Sequence, residues 1–166
     1  MPLAGVNDGD ALLGTKCAIG VLNLLPGGDL EVRSVVSGDA APRGESRFNF
    51  NGGLLRAKTN TTAFMQGLTN ALVQAGGAHI DSGPYAVTIA QTLQADTNSP
   101  GGGLTKSGTG TLLLSGGSAN TYTGPTTVNQ GRLVVHSSQP GGGAYTVTNG
   151  ATLAVIPDVP TLNMGV

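Results

Sequence analysis

Two carboxylates, Asp29 and Glu31, stand two residues apart in a segment where polar and apolar residues alternate. On a β-strand this spacing puts both side chains on one face, about 7 Å apart. Paired carboxylates at such separations carry out acid–base chemistry in glycoside hydrolases. Arg33 follows on the same face and would offset their charge. We therefore interpret the group as a solvated strand face.

His79 and Asp81 form a second candidate pair, because they share one face of a predicted strand across Ile80. A carboxylate can orient a histidine as a base, but the sequence places no identifiable Ser or Cys nucleophile beside this pair. His136 stands alone at the end of a predicted strand, where we expect it to be exposed to solvent. We predict no catalytic residues and expect a protein that is not an enzyme.

Motifs for metals, phosphates and disulfides are incomplete. Asp8-Gly9-Asp10 resembles the start of a calcium loop, but the spacing and the number of ligands fall short. The glycine triplet at 101–103 is not followed by the Gly-Lys-Ser/Thr of a phosphate-binding loop. The single cysteine, Cys17, cannot form an internal disulfide, and we expect it to be a small buried residue. No metal and no cofactor is predicted.

The composition favours a β-rich protein with many tight turns. The 166 residues include 28 Gly, 9 Pro, 19 Thr and no Trp, and charged residues make up only 10%, against about 25% in ordinary globular domains. Gly and Thr are poor helix formers, which argues against a helical bundle. A net charge of -1 provides no basic surface for nucleic acids. The apolar stretches are much shorter than the roughly 20 residues of a membrane-spanning helix.

Glycine doublets recur at a regular interval, which predicts a solenoid. They lie at 27–28, 52–53 and 76–77, and a triplet begins at Gly101. The interval between them is similar in length to one repeat of a solenoid protein. Further along the chain it tightens, as the separation of Gly131 and Gly150 shows. A regular interval of this kind with short strands is typical of repeat proteins whose turns stack on one another.

The segments between the glycines read as short, half-buried strands. Apolar residues alternate with polar ones in residues 21–25, 47–51 and 85–89. Two or three such strands per turn, stacked on their equivalents in the next turn, make a parallel β-helix. An antiparallel sandwich is the competing architecture, since Asn51-Gly52 and Asn149-Gly150 could form hairpin turns. The long period favours the β-helix.

One segment departs from the strand pattern. Residues 61–68 begin with a threonine suited to capping a helix, and Phe64 and Leu68 follow with a spacing of four. We predict a single helical turn or short helix here, inserted as a loop. Its Phe64, Met65 and Leu68 would pack against the side of the solenoid.

A longer motif follows in residues 103–135. Residues 103–116 read Gly-Leu-Thr-Lys-Ser-Gly-Thr-Gly-Thr-Leu-Leu-Leu-Ser-Gly, and residues 120–135 read Asn-Thr-Tyr-Thr-Gly-Pro-Thr-Thr-Val-Asn-Gln-Gly-Arg-Leu-Val-Val. By alternation, the side chains predicted to point inward are Leu112, Leu114, Val128, Leu133 and Val135. We expect Tyr122 to lie over a corner with its hydroxyl in water.

This motif closely resembles the autotransporter passenger-associated β-strand repeat. Residues 48–57 and 73–81 look like segments that often precede that repeat in large bacterial surface proteins. The resemblance implies an all-β fold, a right-handed parallel β-helix. It also implies a secreted or surface-displayed bacterial protein in which the motif is structural and carries no catalytic residues.

We therefore treat the chain as one β-solenoid segment with four parts. The parts are an irregular N-terminal stretch (1–20), long-period rungs (21–100), the passenger-associated repeat (101–135), and final rungs that are truncated or form an interface (136–166). Met1–Gly20 contains no apolar core of a signal peptide, because Lys16 falls on the wrong side of the apolar residues. We expect an exported protein to carry its signal outside these residues.

The expected function is that of a non-enzymatic stalk, spacer or adhesive fibre in an extracellular or surface-displayed bacterial protein. Two alternatives stay open. One is a self-assembling filament, joined end to end through open strand edges at residues 151–166. The other is a carbohydrate-binding or polysaccharide-cleaving β-helix. A cluster of three or more acidic or basic groups on one outer face would favour it, and with 10% charged residues the sequence indicates no such cluster.

The expected partners follow from these functions. They are neighbouring segments of a longer parent chain or copies of the same chain placed end to end, with surface glycans as a further class. Nucleic acids and insertion into a membrane by this segment are not expected, for the reasons of charge and apolar length given above.

Overall fold

The structure, a computed structural model, describes residues 10–13, 19–37, 45–116, 120–138 and 141–157. These ranges contain short strands joined by turns and no α-helix. Accordingly, within them there is no helix of the length and apolarity that a membrane crossing requires. The strands, numbered along the chain, are β1 (Asp10–Leu13), β2 (Ile19–Leu24), β3 (Asp29–Val32), β4 (Ser34–Ser37), β5 (Glu45–Phe50), β6 (Leu54–Ala57), β7 (Thr61–Gln66), β8 (Asn70–Val73), β9 (Ala78–Asp81), β10 (Ala86–Ile89), β11 (Leu93–Ala95), β12 (Leu104–Ser107), β13 (Thr111–Leu114), β14 (Thr126–Val128), β15 (Arg132–His136), β16 (Tyr145–Val147) and β17 (Thr152–Ile156).

The strands form three parallel sheets, and the chain visits the sheets in a fixed order. Sheet A contains β1, β4, β7, β10, β13, β15 and β17; sheet B contains β2, β5, β8 and β11; and sheet C contains β3, β6, β9, β12, β14 and β16. From β2 onward the chain runs through B, C and A in four complete turns, and then through C and A alone in two further turns. The described residues are therefore a parallel β-solenoid, as predicted.

The antiparallel alternative is excluded for the described residues. Every strand pair among them is parallel. The Asn149-Gly150 turn does not join a hairpin, since the strands on its two sides, β16 and β17, belong to different sheets. It is a corner of the solenoid.

The length of a turn matches the spacing of the glycines. In the complete turns Leu54 pairs with His79, a separation equal to that of the glycine doublets. In the last turns Thr126 pairs with Tyr145, a separation equal to the shorter interval from Gly131 to Gly150. The shortening has a structural cause, because the later turns lack a strand in sheet B.

Side chains replace that missing strand. The amide of Thr121 donates to the Leu93 carbonyl at 2.9 Å. The Asn120 side-chain oxygen accepts from the Leu93 amide at 2.9 Å, and the Thr121 hydroxyl accepts from the Ala95 amide at 3.2 Å. These bonds satisfy the edge of β11 without a regular strand, so the Asn-Thr pair of the motif acts as a substitute for backbone.

The interior is a continuous column of apolar side chains. Phe48 and Phe50 are fully buried, with ring centroids 4.6 Å apart. The inward positions predicted from alternation are confirmed, with exposed fractions between 0% and 1%, for Leu112, Leu114, Val128, Leu133 and Val135.

Tyr122 is also part of this interior, which corrects the expectation of a hydroxyl in water. Its side chain is 1% exposed, and its hydroxyl lies 2.7 Å from the hydroxyl of the buried Thr126. The ring is part of the apolar core cluster. A hydrogen bond to Thr126 takes the place of water, as a buried hydroxyl requires.

The helix predicted at residues 61–68 is wrong. Thr61–Gln66 is strand β7, and Gly67 follows in a turn with φ +71°. The pairing of β7 with β10 shifts register between Thr61 and Met65. This irregularity lets the consecutive residues Phe64 and Met65 both be buried.

Tertiary pairing explains why this helix does not form. Strands β4 and β10 flank β7 and offer it backbone partners on both sides, and such partners outweigh a weak local preference for helix. The burial expected for Phe64, Met65 and Leu68 is correct.

The corners bring backbones of successive turns into contact. At the corner between sheets B and C, the Gly52 amide donates to the Gly77 carbonyl, and the Gly124 amide to the Gly102 carbonyl, both at 2.9 Å. A methyl group added to Gly102 would overlap the carbonyl oxygen of Gln74. Gly53, Gly76 and Gly102 recur here because the corner leaves no room for a Cβ atom, whereas Gly27 and Gly101 have open space and a positive φ.

We expect Gly102→Ala to lower the free energy of unfolding by about 2 kcal/mol, because the turn must move away from Gln74. Gly116→Ala is the matched control. Gly116 also lacks a positive φ, and the nearest atom to an added methyl, the Thr92 amide nitrogen, is 3.2 Å away. Urea unfolding followed by circular dichroism measures both, and equal losses would contradict the steric explanation.

Candidate functional site

The outer face of sheet C gathers charged side chains from three consecutive turns. Glu31 on β3, Arg56 on β6 and Asp81 on β9 are direct ladder partners, and we refer to these three residues as the charged row. Their side chains point outward because the neighbouring residues on the same strands, such as Leu55 and Ile80, point into the core. Residues far apart in the chain thus become neighbours at strand spacing.

Arg56 is the centre of this cluster. Its Nε donates to both carboxylate oxygens of Asp29, at 3.0 and 2.9 Å, and its Nη1 donates to Asp81 Oδ2 at 3.1 Å. The hydrogen bond and charge of Asp29 raise the pKa of Arg56, and the charges of Asp81 and Glu31 add to this effect. The guanidinium remains half exposed, so it links the turns while presenting a polar surface to solvent.

Asp81 has a second role at the corner that follows β9. Its Oδ1 accepts a hydrogen bond from the Gly83 amide at 2.7 Å, while its Oδ2 receives Arg56. Gly83 adopts a positive φ of 55°, a backbone conformation that glycine reaches at little cost. The Asp81 carboxylate therefore stabilises both the charged row and the corner that follows β9.

A shallow recess of about 400 Å³ lies beside the charged row. Its walls carry positively charged, negatively charged and apolar side chains. The residues that form them are Glu31, Arg56, Ala57, Lys58, Asp81, Gly83, Pro84 and Tyr85. Clefts that bind small ligands measure roughly 300–1,000 Å³ and join an apolar wall to a few polar groups. We refer to this feature as the sheet C recess.

The sequence-predicted candidates have different positions in the structure. Asp29 and Glu31 are exposed on one face, as expected, but Arg56 rather than Arg33 binds Asp29. Asp81 is occupied by Arg56 and Gly83, and no hydrogen bond joins it to His79.

Of the other residues singled out from the sequence, some lie within the described residues and others do not. His136 is half-buried at the end of β15, where its ladder partner is Ile156, so the expectation that it is exposed is wrong. Cys17, Asp8 and Gly9 fall outside the described residues. Elsewhere, in the part of the chain that the structure describes, no three His, Cys, Asp or Glu side chains form a metal-binding group.

The sequence does not reveal this cluster directly, because its members are separated by whole turns of the solenoid. Asp29, Glu31, Arg56 and Asp81 form a group of charges on one outer face that the low charge content did not lead us to expect. The solenoid period could have revealed the cluster, because it places Arg56 one turn after Glu31, and Asp81 one turn after Arg56.

Lys106 is a second missed residue, and it lies inside the solenoid. Its side chain is 0% exposed, and its Nζ donates to the carbonyl oxygens of Ser107 and Gly108, both at 2.7 Å, and of Gln130 at 3.1 Å. All three ammonium donors are therefore used. The alternation Leu104-Thr105-Lys106 already indicates an inward position.

The interior lysine connects two successive turns. Ser107 is the last residue of β12 and Gly108 begins the corner after it, whereas Gln130 belongs to the corner after β14. Burial lowers the pKa of Lys106 to about 8, and the charge of Asp81 opposes this shift. The group is enclosed among carbonyl oxygens, so its chemistry is structural.

This architecture defines the class of protein, a parallel β-solenoid whose corners are closed by glycines and buried polar side chains. Residues 104–135 match the family model described as passenger-associated-transport-repeat. The match covers β12 to β15 and includes Lys106 and Tyr122. Together with the solenoid, it fits an autotransporter passenger repeat protein. No curated protein and no solved structure matches the chain.

We expect Asp81→Ala to lower the free energy of unfolding by about 1–2 kcal/mol, because the Gly83 amide and Arg56 both lose an acceptor. Glu31→Ala is the matched control on the same row. It removes an exposed carboxylate and should change stability by less than about 0.5 kcal/mol. Urea unfolding at neutral pH compares the two, and indistinguishable values would contradict the role assigned to Asp81.

Lys106 and Tyr122 should change the free energy of unfolding in opposite directions as the pH rises. Between pH 8 and the ordinary lysine pKa of 10.5, the unfolded chain holds a proton that the folded chain has released. Stability therefore rises with pH, by on the order of 2–3 kcal/mol. Burial raises the pKa of Tyr122 above its ordinary value of 10.0. Above that pH the unfolded chain loses the phenolic proton first, so stability falls.

Urea unfolding between about pH 7.5 and pH 11 tests this profile. Lys106→Met should abolish the rise and lower stability below pH 8, since two corner carbonyls lose their donor. Tyr122→Phe should reduce the fall above pH 10 and retain the rise. A rise that survives in Lys106→Met would show that another group titrates.

Proposed function

We propose that this chain is a non-enzymatic structural segment of a bacterial passenger domain, a rod that serves as a stalk or spacer. The unbroken parallel ladder of sheet A, seven strands from β1 to β17, is the observation that carries the proposal. A continuous ladder gives a stiff element, and each added turn lengthens it by about 4.8 Å. The match to a passenger-associated repeat supports a secreted or surface-displayed location.

The interior chemistry supports a mechanical role. Lys106 joins two turns through three carbonyls, and Asn120 and Thr121 complete the ladder where a strand is missing. The polar groups with the strongest interactions therefore hold turns together. On the outer face, Arg56 is shared between Asp29 and Asp81, an arrangement that supports an ion-pair network rather than an acid–base pair poised for hydrolysis.

Exposed apolar residues on the last described turn support continuation of the rod. Val155 is 58% exposed and Val147 is 42% exposed. Their ladder partners in the preceding turn, Val135 and Val128, are core residues at 1% and 0%. Within the described residues β16 and β17 pair on one side only. We propose that a further turn of a longer parent chain stacks on this side.

A self-assembling filament is the alternative occupant of the same surface. Open strand edges can pair with another copy of the chain as well as with a covalent neighbour. Light scattering distinguishes the two, because end-to-end copies would give a mass that grows with concentration beyond 16.4 kDa. The interface expected at residues 151–166 can be assessed only up to residue 157, since residues 158–166 lie outside the described ranges.

Deleting one whole turn tests the spacer proposal. Residues 54–78 span one ladder offset, from Leu54 to the residue before its partner His79. Their removal joins β5 to β9 and keeps the order of the three sheets, so we expect a folded, slightly less stable rod shortened by about 4.8 Å. Circular dichroism, urea unfolding and small-angle scattering check the fold, the stability and the length.

A half-turn deletion is the control. Removing residues 54–65 deletes β6 and all of β7 except its last residue, so that β8 of sheet B would follow β5 of sheet B with no strand of sheet C or sheet A between them, and we expect loss of cooperative folding. The proposal is overturned if the whole-turn deletion unfolds as completely as the half-turn deletion. The function of a rod set by its number of turns requires that turns be separable units.

A further inference from the structure

The sheet C recess has a property that the rod does not need, a balanced set of charges around a cavity. Glu31 and Asp81 contribute two negative charges to its walls, and Arg56 and Lys58 contribute two positive ones. Lys58 is exposed and makes no ion pair within the described ranges. A chain with only 10% charged residues thus concentrates four of them around one recess.

The charges bear on the class of ligand once Asp29 is included, because this carboxylate binds Arg56 and adds one negative charge beside the recess. An anion would meet the carboxylates of Asp29, Glu31 and Asp81. A cation would meet Lys58 and the Arg56 guanidinium held between Asp29 and Asp81, so neither finds a wall of purely opposite charge. A neutral ligand with many hydroxyl groups meets both acceptors and donors. Each carboxylate oxygen can accept about two hydrogen bonds, so Asp81 keeps capacity beyond Gly83 and Arg56.

The remaining wall suits the apolar part of such a ligand. Tyr85 and Pro84 line the recess beside the charged row, and Tyr85 is half-buried against the core, which holds its ring in place. An aromatic ring fixed in this way offers an apolar surface with a polar tip. Charged groups that donate and accept hydrogen bonds next to a ring form a wall complementary to a pyranose, with hydroxyls at its rim and C–H groups on its faces.

From the juxtaposition of Glu31, Arg56, Lys58, Asp81 and Tyr85, we propose that the sheet C recess binds a neutral glycan. An extended peptide fits the position less well. Peptides bind solenoid edges by adding a strand, but β6 and β9, which carry most of the recess, are paired on both sides, so their backbone groups are occupied. Among the described strands, β3 alone at the recess has an open edge, and strand addition there is an outcome that the peptide probe tests.

Titration of the ¹⁵N-labelled chain with cellohexaose, xylohexaose and mannohexaose, followed by nuclear magnetic resonance and calorimetry, tests this site. We expect at least one of the three to bind and to shift the amides of Arg56, Gly83 and Tyr85. Because the ligand is uncharged, its affinity should change less than about twofold when the ionic strength rises from about 0.05 to 0.5 M. Hexagalacturonate serves as the anionic probe, and an uncharged decapeptide of alternating Thr and Gln, which is able to add a strand, serves as the peptide probe.

Variants separate the recess from the rest of the surface. Glu31→Ala and Tyr85→Leu should each weaken binding by about tenfold, the equivalent of one hydrogen bond or contact to a charged or aromatic group. Arg132→Ala, which removes an exposed charge on sheet A, should leave binding unchanged. Because Glu31 is exposed, its variant keeps the test valid even if Tyr85→Leu does not fold.

Four results would overturn the proposal. They are failure of all three neutral hexasaccharides to bind, stronger binding of hexagalacturonate with a steep salt dependence, binding of the decapeptide alone, and neutral binding that Glu31→Ala leaves intact. None of them bears on the spacer proposal, which depends on the stacking of turns and is tested by the turn deletions.

Discussion

Each turn of this protein must lie directly on the one before it, at the spacing of neighbouring strands in a sheet. Along the strands this requirement is met by the parallel ladders. At the corners it forces backbone against backbone, so that a methyl group on Gly102 would meet the Gln74 carbonyl and one on Gly110 would meet the Tyr85 carbonyl. Glycine at the corners, short strands and an inward apolar residue at every second position all follow from this single constraint.

The same constraint explains the polar residues of the repeat. Where strands turn, carbonyl oxygens can lose their ladder partners, and a buried carbonyl without a donor is costly. Lys106 donates to the corner carbonyls of Gly108 and Gln130, and also to that of Ser107, which accepts from the Ser82 amide as well. The hydroxyls of Thr126 and Tyr122 form a hydrogen bond with each other. In sheet B the missing strand is replaced by Asn120 and Thr121. The motif therefore encodes partners for particular backbone groups as well as a pattern of burial.

Interior and exterior serve different purposes in this arrangement. The interior chemistry stabilises the stack and supports the role of a rod. The outer face of sheet C is under no such demand, yet it carries the charged row and the recess beside it. Arg56 belongs to both the charged row and the recess. It links β3, β6 and β9 through Asp29 and Asp81, and part of its guanidinium remains at the surface. A rod of this kind can present a binding surface without any addition to its fold.

The sequence by itself determined the features that repeat locally. Glycine spacing predicted the turn length, and alternation predicted the inward positions of Leu112 and Val128, because both depend on the geometry of a single strand or corner. Tertiary structure decided what depends on the neighbouring turn. Backbone partners on both sides made residues 61–66 a strand rather than a helix, and Tyr122 is buried in the core with its hydroxyl against that of Thr126. Ladder register brought Glu31, Arg56 and Asp81 together across three turns. Residues a whole turn apart carry no local signal of contact until the exact register of the turns is known.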